Sequence, residues 1–208
     1  MISLNFREVK DKIQNRIPGS TRDQHYYSVL LPLICIDGEL HLVYEVRSKN
    51  LSRQPGQISF PGGRVERGEE FSQAAVRECS EELLIPREKI ELLGEIDYLI
   101  TPFNFIIYVF VGKLDYSSLD EISGNDYEVE EIFSVPISYF LENEVEKYSA
   151  VLKSEFDDDF PYHLIPQGKR HSRKRGEYEI YFYRYQGKVI WGITAEITKN
   201  FIDIIQSK

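Results

Sequence analysis

Three glutamates, Glu78, Glu81 and Glu82, lie within one turn of a segment whose apolar spacing is helical. At about 100° per residue they fall near 0°, 300° and 40°, on a single face. Like charges at that spacing repel by a few tenths of a kcal/mol per pair in water, roughly, and by more where water is excluded. A divalent cation is the most effective offset. A solvated acidic face is the plainer outcome, and the spacing alone does not choose between them.

The neighbouring residues narrow the choice. Ala74 and Ala75, one turn upstream on the same face, leave room for another group to approach, while Val76, Cys79 and Leu83 form a separate apolar stripe. In Phe60-Pro61-Gly62-Gly63-Arg64 the proline fixes a bend, and the glycines let backbone groups come close to a ligand, as metal and phosphate loops require. Arg77 stands four residues before Glu81, where a guanidinium can fix a carboxylate. Gly68, Glu69 and Glu70 suit the start of a helix.

In register, Gly63, Glu69, Arg77, Glu78, Cys79, Glu81, Glu82 and Ile85 resemble the box of the Nudix hydrolases, G-x(5)-E-x(7)-R-E-U-x-E-E-x-G-U with U apolar. One position departs: Leu84 replaces the glycine that normally ends the helix in a left-handed conformation, and with Pro86 close behind, a different helix stop is expected. The resemblance implies that Glu78, Glu81 and Glu82 ligate Mg²⁺ or Mn²⁺, helped by the carbonyl of Gly62 or Gly63, with Arg77 holding a carboxylate in place. It also implies metal-assisted hydrolysis of a pyrophosphate, with a base outside the box. The candidates for that base are Glu128, Glu130 and Glu131, of which Glu128 is preferred.

The preceding residues, VYEVRSKNLSRQPGQISFPGG, are similar to the coenzyme A pyrophosphatase signature at Arg47, Ser48, Gly56, Phe60, Pro61, Gly62 and Gly63. They depart where Val43, Tyr44 and Glu45 replace Leu-Leu-Thr, and where Ser52, followed by Arg53, replaces the second arginine. Coenzyme A carries a 3′-phosphate besides its pyrophosphate, so cations beyond the metal site are needed, and Arg47, Arg53 and Arg64 could supply them. The expected activity is cleavage of coenzyme A or acyl-CoA to 3′,5′-ADP and (acyl-)4′-phosphopantetheine. The alternatives are another Nudix substrate (ADP-ribose, NADH, a dinucleoside polyphosphate or a nucleoside triphosphate) or a non-catalytic nucleotide-sensing module, against which the three intact acids argue.

These residues must be positioned by a mixture of strands and helices without strict alternation. Ile2, Phe6, Val9 and Ile13 space a short amphipathic helix. Strands are expected at 26–36 and 40–46 about an Asp37-Gly38 turn, at 90–100 and 104–114, at EVEEIFSV from Glu128, at 146–152, at 178–185 and through Trp191. Helices are expected at 71–83, after Pro136, and at 194–206 with Ile197, Phe201, Ile204 and Ile205 inward. The pattern is α/β with a mixed β-sheet. The resemblance makes it a Nudix-type α/β/α sandwich: residues 1–20 a helical extension, 21–208 one domain, with Trp191 and Gly192 docking the last helix and Thr194 capping it.

With 34 acidic and 25 basic side chains the net charge is −9, which argues against bulk nucleic-acid binding. The basic run from Lys169 to Arg175 is the local exception, read as a solvated turn. Cys35 and Cys79, far apart in apolar contexts, read as core thiols of a reducing compartment, the cytoplasm. No apolar run reaches the roughly 18 residues of a membrane span, and no G-x(4)-G-K-[ST] loop occurs. The implied partner is a small nucleoside diphosphate, with the protein a monomer or homodimer.

Overall fold

The computed structural model describes residues 5–18, 20–21, 23–153, 155–166, 168 and 175–207. Ile2 and the basic run from Lys169 to Lys174 lie outside the described residues, as does the side chain of Arg175.

The first helix, α1 (Phe6–Gln14), is capped by Asn5, whose Oδ1 accepts from the Arg7 and Glu8 amides, and none of its residues is buried. β1 (His25–Ile36) and β2 (Glu39–Arg47) then form a hairpin in which Leu33 pairs with Leu42. Asp37 and Gly38 turn it with φ of 51° and 86°, the left-handed pair that a two-residue hairpin needs. Two short strands follow: β3 (Ile58–Ser59) pairs with β2, and β4 (Gly62–Arg64) pairs with β1. β5 (Ile90–Ile100) and β6 (Phe105–Leu114) are antiparallel to each other, and β6 runs parallel to β1. β7 (Val129–Pro136) on β2 completes a seven-stranded mixed sheet.

Successive side chains on a strand point to opposite faces, so Leu30, Ile34 and Val43 meet one layer and Leu31, Leu33, Leu42 and Tyr44 the other. The first face is covered by α2 (Phe71–Glu82) through Ala75 and Cys79, with Leu83 just beyond it. Covering the second are α3 (Ile137–Glu142), a three-stranded sheet of β8 (Glu146–Lys153), β9 (Arg175–Tyr185) and β10 (Lys188–Trp191), and α4 (Gly192–Gln206). This is the expected α/β/α arrangement.

The tail differs from expectation in detail. α4 begins at Gly192, so Thr194 is inside it, and its hydroxyl donates to the Ile58 carbonyl (2.9 Å), tying α4 to β3 instead of capping. Trp191 is not buried; it stacks on Phe182 at the margin of the small sheet. Ile197 and Phe201 face inward, but Ile204 and Ile205 are exposed because burial along α4 stops at Ile202. Cys79 is a core thiol, whereas Cys35, near the hairpin end of β1, is exposed. Among the described residues no helix is long and apolar enough to cross a membrane.

The end of α2 corrects a further expectation. Leu84 adopts φ +49°, the conformation a glycine would take, and the Ile85 amide reaches back to the Ser80 carbonyl (3.2 Å). The helix therefore stops in the wrapped, left-handed manner despite the substitution. Ile85 is buried and holds the wrap, while the Leu84 side chain stays exposed. A side chain in this conformation costs about 1 kcal/mol. Leu84→Gly is accordingly expected to stabilise the protein by about that amount, read as a higher urea midpoint with an unchanged slope.

Candidate active site

Helical geometry places the three acids on one face, but the sheet beneath α2 makes them unequal. Glu82 lies near the angular position of Ala75 and Cys79 and is only 4% exposed. The Glu78 side chain is 17% exposed, and that of Glu81, turned outward, 54%. Ala74 and Ala75 are fully buried, with Ala75 packed in the core between α2 and the sheet.

The glycine pair shapes the site by what it lacks. A Cβ on Gly62 would stand 2.6 Å from the Ser28 carbonyl oxygen and 2.8 Å from Val29 Cα, so only glycine lets β4 lie this close to β1. From there the Gly62 amide donates to Glu82 Oε2 (2.8 Å). A Cβ on Gly63 would fall 2.2 Å from Glu78 Oε1, so this glycine vacates the room that the carboxylate occupies. The start of α2 is pinned to the same strand by Ser28 Oγ, which donates to the Phe71 carbonyl (2.6 Å).

Arg77 organises more than its spacing from Glu81 indicates. Its Nε and Nη2 bind both oxygens of Glu69 (2.8 and 3.0 Å), Nη1 donates to Glu78 (2.8 Å) and Glu81 (3.2 Å), and Nη2 also reaches the Arg64 carbonyl (3.3 Å). Glu69, just ahead of the helix start, anchors the arginine, whose hydrogen bonds hold its carboxyl below the usual range. Glu70 occupies the N-cap position without a side-chain capping bond.

The sequence reading passed over one acid, Glu45. It lies two residues after Val43 on β2, hence on the face that α2 covers, and is 0% exposed. Ser59 Oγ donates to its Oε1 (2.9 Å) and Arg47 Nη1 stands 3.9 Å from the same oxygen, while Oε2 is buried with no partner. The available signal was a glutamate at an inward strand position otherwise taken by apolar residues.

Glu128 belongs to the turn before β7 rather than to the strand. That turn is tied to α2 by the Asn125 amide on the Glu82 carbonyl (2.8 Å), and to the end of β2 by the Ser48 amide on the Glu128 carbonyl (2.7 Å). Its charge acts on Glu45, Glu78 and Glu82. Glu130 and Glu131 instead pair with Lys49 and Lys188 at the exposed surface.

The arginines separate in the same way. Arg47 is largely buried beside Glu45, and its Nε has no partner. Arg53 is exposed on the loop, whose ends are joined by the Arg47 amide on the Gln57 carbonyl (2.9 Å) and the Gly56 amide on the Arg47 carbonyl (2.9 Å). Gly56 serves this loop through its φ of +70°. Arg64 lines an open cleft of about 890 Å³ together with Tyr26, Glu69, Phe71 and Glu78.

Burial first, and neighbouring acids next, raise Glu82 to about 9 and Glu45 to about 7, against an ordinary value of 4.5. Burial raises Glu78 as well, against the opposing pull of Arg77. As they stand, no three acidic, histidine or cysteine side chains among the described residues are close enough together to hold an ion. The surroundings nevertheless fit one. Glu45 Oε2 is an orphaned buried acceptor, Gly63 leaves the Glu78 carboxylate unobstructed, and an all-oxygen set suits Mg²⁺ or Mn²⁺.

Comparison with known proteins agrees with this geometry. The NUDIX domain family matches residues 25–156. The chain is 30% identical over 211 residues to the uncharacterized Nudix hydrolase NudL of Photorhabdus laumondii, covering 99% of this chain and 100% of that one. It is 33% identical over 132 residues to the peroxisomal coenzyme A diphosphatase NUDT7 of Mus musculus, covering 63% of this chain and 55% of that protein. The crystal structure of a MutT/nudix family protein from Enterococcus faecalis shares the fold, with a TM-score of 0.50 at 14% identity over 98% of this chain and 71% of that one.

Two outcomes are expected. Glu45 and Glu82, with raised values, hold protons in the folded chain that the unfolded chain releases above about pH 4.5. Their stabilisation is complete below that pH and is lost as pH rises through about 7 and 9. In chelator, Glu82→Gln should thus melt progressively higher than the parent between pH 5 and 9 (by about 1 kcal/mol or more at the top, one pKa unit being roughly 1.4 kcal/mol), as followed by thermal unfolding at each pH. Gly63→Ala should displace the Glu78 carboxylate and lower metal-dependent turnover by at least about tenfold, roughly 1.4 kcal/mol of barrier, with the fold retained by circular dichroism.

Proposed function

Because the chain belongs to the Nudix hydrolase family and is a pyrophosphohydrolase of small nucleoside diphosphate compounds, we propose that its substrate is coenzyme A or an acyl-CoA. The observation that carries this reading is Arg47. Its guanidinium is held beside the buried acids with an unpartnered Nε, so cation-seeking and anion-seeking groups face one another across the same site. A pyrophosphate with its counter-ion satisfies both. Arg47 and Gly56 are positions of the coenzyme A signature, and the mouse relative is named a coenzyme A diphosphatase.

In this proposal Glu78, Glu81 and Glu82 hold a divalent cation, with the carbonyl of Gly62 as a further oxygen. When bound, the cation supplies neutralisation of the pyrophosphate charge and activation of water. Arg77 keeps Glu78 and Glu81 oriented, and the Gly62 amide fixes Glu82. Glu128 takes the proton as water attacks phosphorus and the P–O bond of the anhydride breaks, leaving 3′,5′-ADP and 4′-phosphopantetheine. Arg47 binds the pyrophosphate oxygens, and the exposed Arg53 and Arg64 attract the 3′-phosphate.

The test is turnover of coenzyme A, ADP-ribose, NADH, diadenosine tetraphosphate and dGTP with Mg²⁺ or Mn²⁺, products identified by mass. Coenzyme A is expected to be cleaved fastest; a faster reaction with another diphosphate overturns the substrate and leaves the family activity standing. Arg47→Gln is expected to lower kcat/KM for coenzyme A by about 10- to 100-fold, or roughly 1.4 to 2.7 kcal/mol, with Arg53→Ala having the smaller effect.

A further inference from the structure

Glu45 occupies a place where a carboxylate is costly. It is fully buried on the α2 face of a central strand, and a buried carboxyl group normally has every oxygen satisfied. Here only Oε1 is satisfied, by Ser59 Oγ (2.9 Å), with Arg47 at 3.9 Å from the same atom. The structure leaves Oε2 buried and free. The charges that act on this carboxylate across the interface with α2 are those of Glu78 and, from the turn before β7, Glu128. A group restrained at one oxygen and open at the other, in acidic company, is arranged to donate a lone pair to a cation.

We propose that Glu45 is an additional acid of the divalent-cation site, using Oε2 to meet the ion or its bound water while Ser59 and Arg47 hold Oε1. The inference rests on the reading of the α2 acids as metal ligands and extends the site from the helix to the strand beneath it. It also gives Arg47 a place in the site: its Nη1 stands 3.9 Å from Glu45 Oε1, and its Nε is buried without a partner.

The experiment measures Mn²⁺ binding directly, from the electron paramagnetic resonance signal of free Mn²⁺, on the full chain and on Glu45→Gln, Glu45→Asp and Glu82→Gln. Thermal unfolding in chelator is recorded alongside. Glu45→Gln keeps the acceptor for Ser59 but replaces Oε2 with a donor, so the expected result is Mn²⁺ affinity at least tenfold weaker together with an unchanged or higher melting temperature. Glu45→Asp keeps the charge and withdraws it by one methylene, and an intermediate loss of affinity is expected. It carries the test if the glutamine variant does not fold. Parental Mn²⁺ affinity in a folded Glu45 variant makes the residue a structural partner of Ser59 only and overturns the proposal. Should Glu82→Gln also bind Mn²⁺ as the parent does, the failure is that of the α2 reading itself.

Discussion

The structure depends on keeping carboxylates together in a place from which water is largely removed. Glu82 and Glu45 are both buried where a helix lies on a sheet, and the Glu45 charge raises the proton affinity of Glu82, as Glu78 and Glu128 raise that of Glu45. Two uncompensated charges there would cost several kcal/mol, so the site exists only because protons or a cation can occupy it. The apolar contacts around it, among them Ala75, Cys79, Leu83 and Val43, supply the cohesion that tolerates such a defect.

The rest of the local backbone follows from bringing these acids into register. β4 must approach β1 closely enough for the Gly62 amide to reach Glu82, which excludes any Cβ at that position. Gly63 must be bare because Glu78 lies where its side chain would be. Arg77 then balances the outer acids, and Glu69 balances Arg77. At the far end, the left-handed Leu84 turns the chain sharply enough to bury Ile85, and the Asn125 amide on the Glu82 carbonyl brings the Glu128 turn onto the same helix end.

How much of this could be read in the sequence depended on whether the signal was periodic or three-dimensional. The hairpin at Asp37-Gly38, the strands to either side of Thr101, and α2 were legible because alternation and turn chemistry are local. The acids of α2 were legible as a set, but their burial gradient was not, since it depends on which side the sheet covers. Thr194 read as a cap because its position near a helix start suggested one; its true partner, the Ile58 carbonyl, is 136 residues away. Glu69 was legible as an acid at a helix start, but its bond to Arg77, eight residues on, was not. Glu45 was noticed only as a departure from a signature, and strand alternation from Val43 would have placed it inward.

Placing Glu45 and Arg47 correctly is a matter of register, and the register is secured on the opposite face. Tyr44, between them and Val43, points into the other layer, where its ring stacks on Phe60 (4.6 Å) and Phe133 (5.4 Å). Its buried hydroxyl meets Thr198 of α4 (2.9 Å), whose own hydroxyl donates to the Thr194 carbonyl (2.8 Å). A slip of one residue along β2 would exchange the faces, sending Glu45 into that aromatic layer and Tyr44 toward the acids. The C-terminal helix, though it contributes none of the proposed site residues, thus fixes the strand that carries both an acid and a guanidinium to the helix of the box. A polar anchor on one face of the sheet holds the carboxyl group of Glu45 and the guanidinium of Arg47 together on the other.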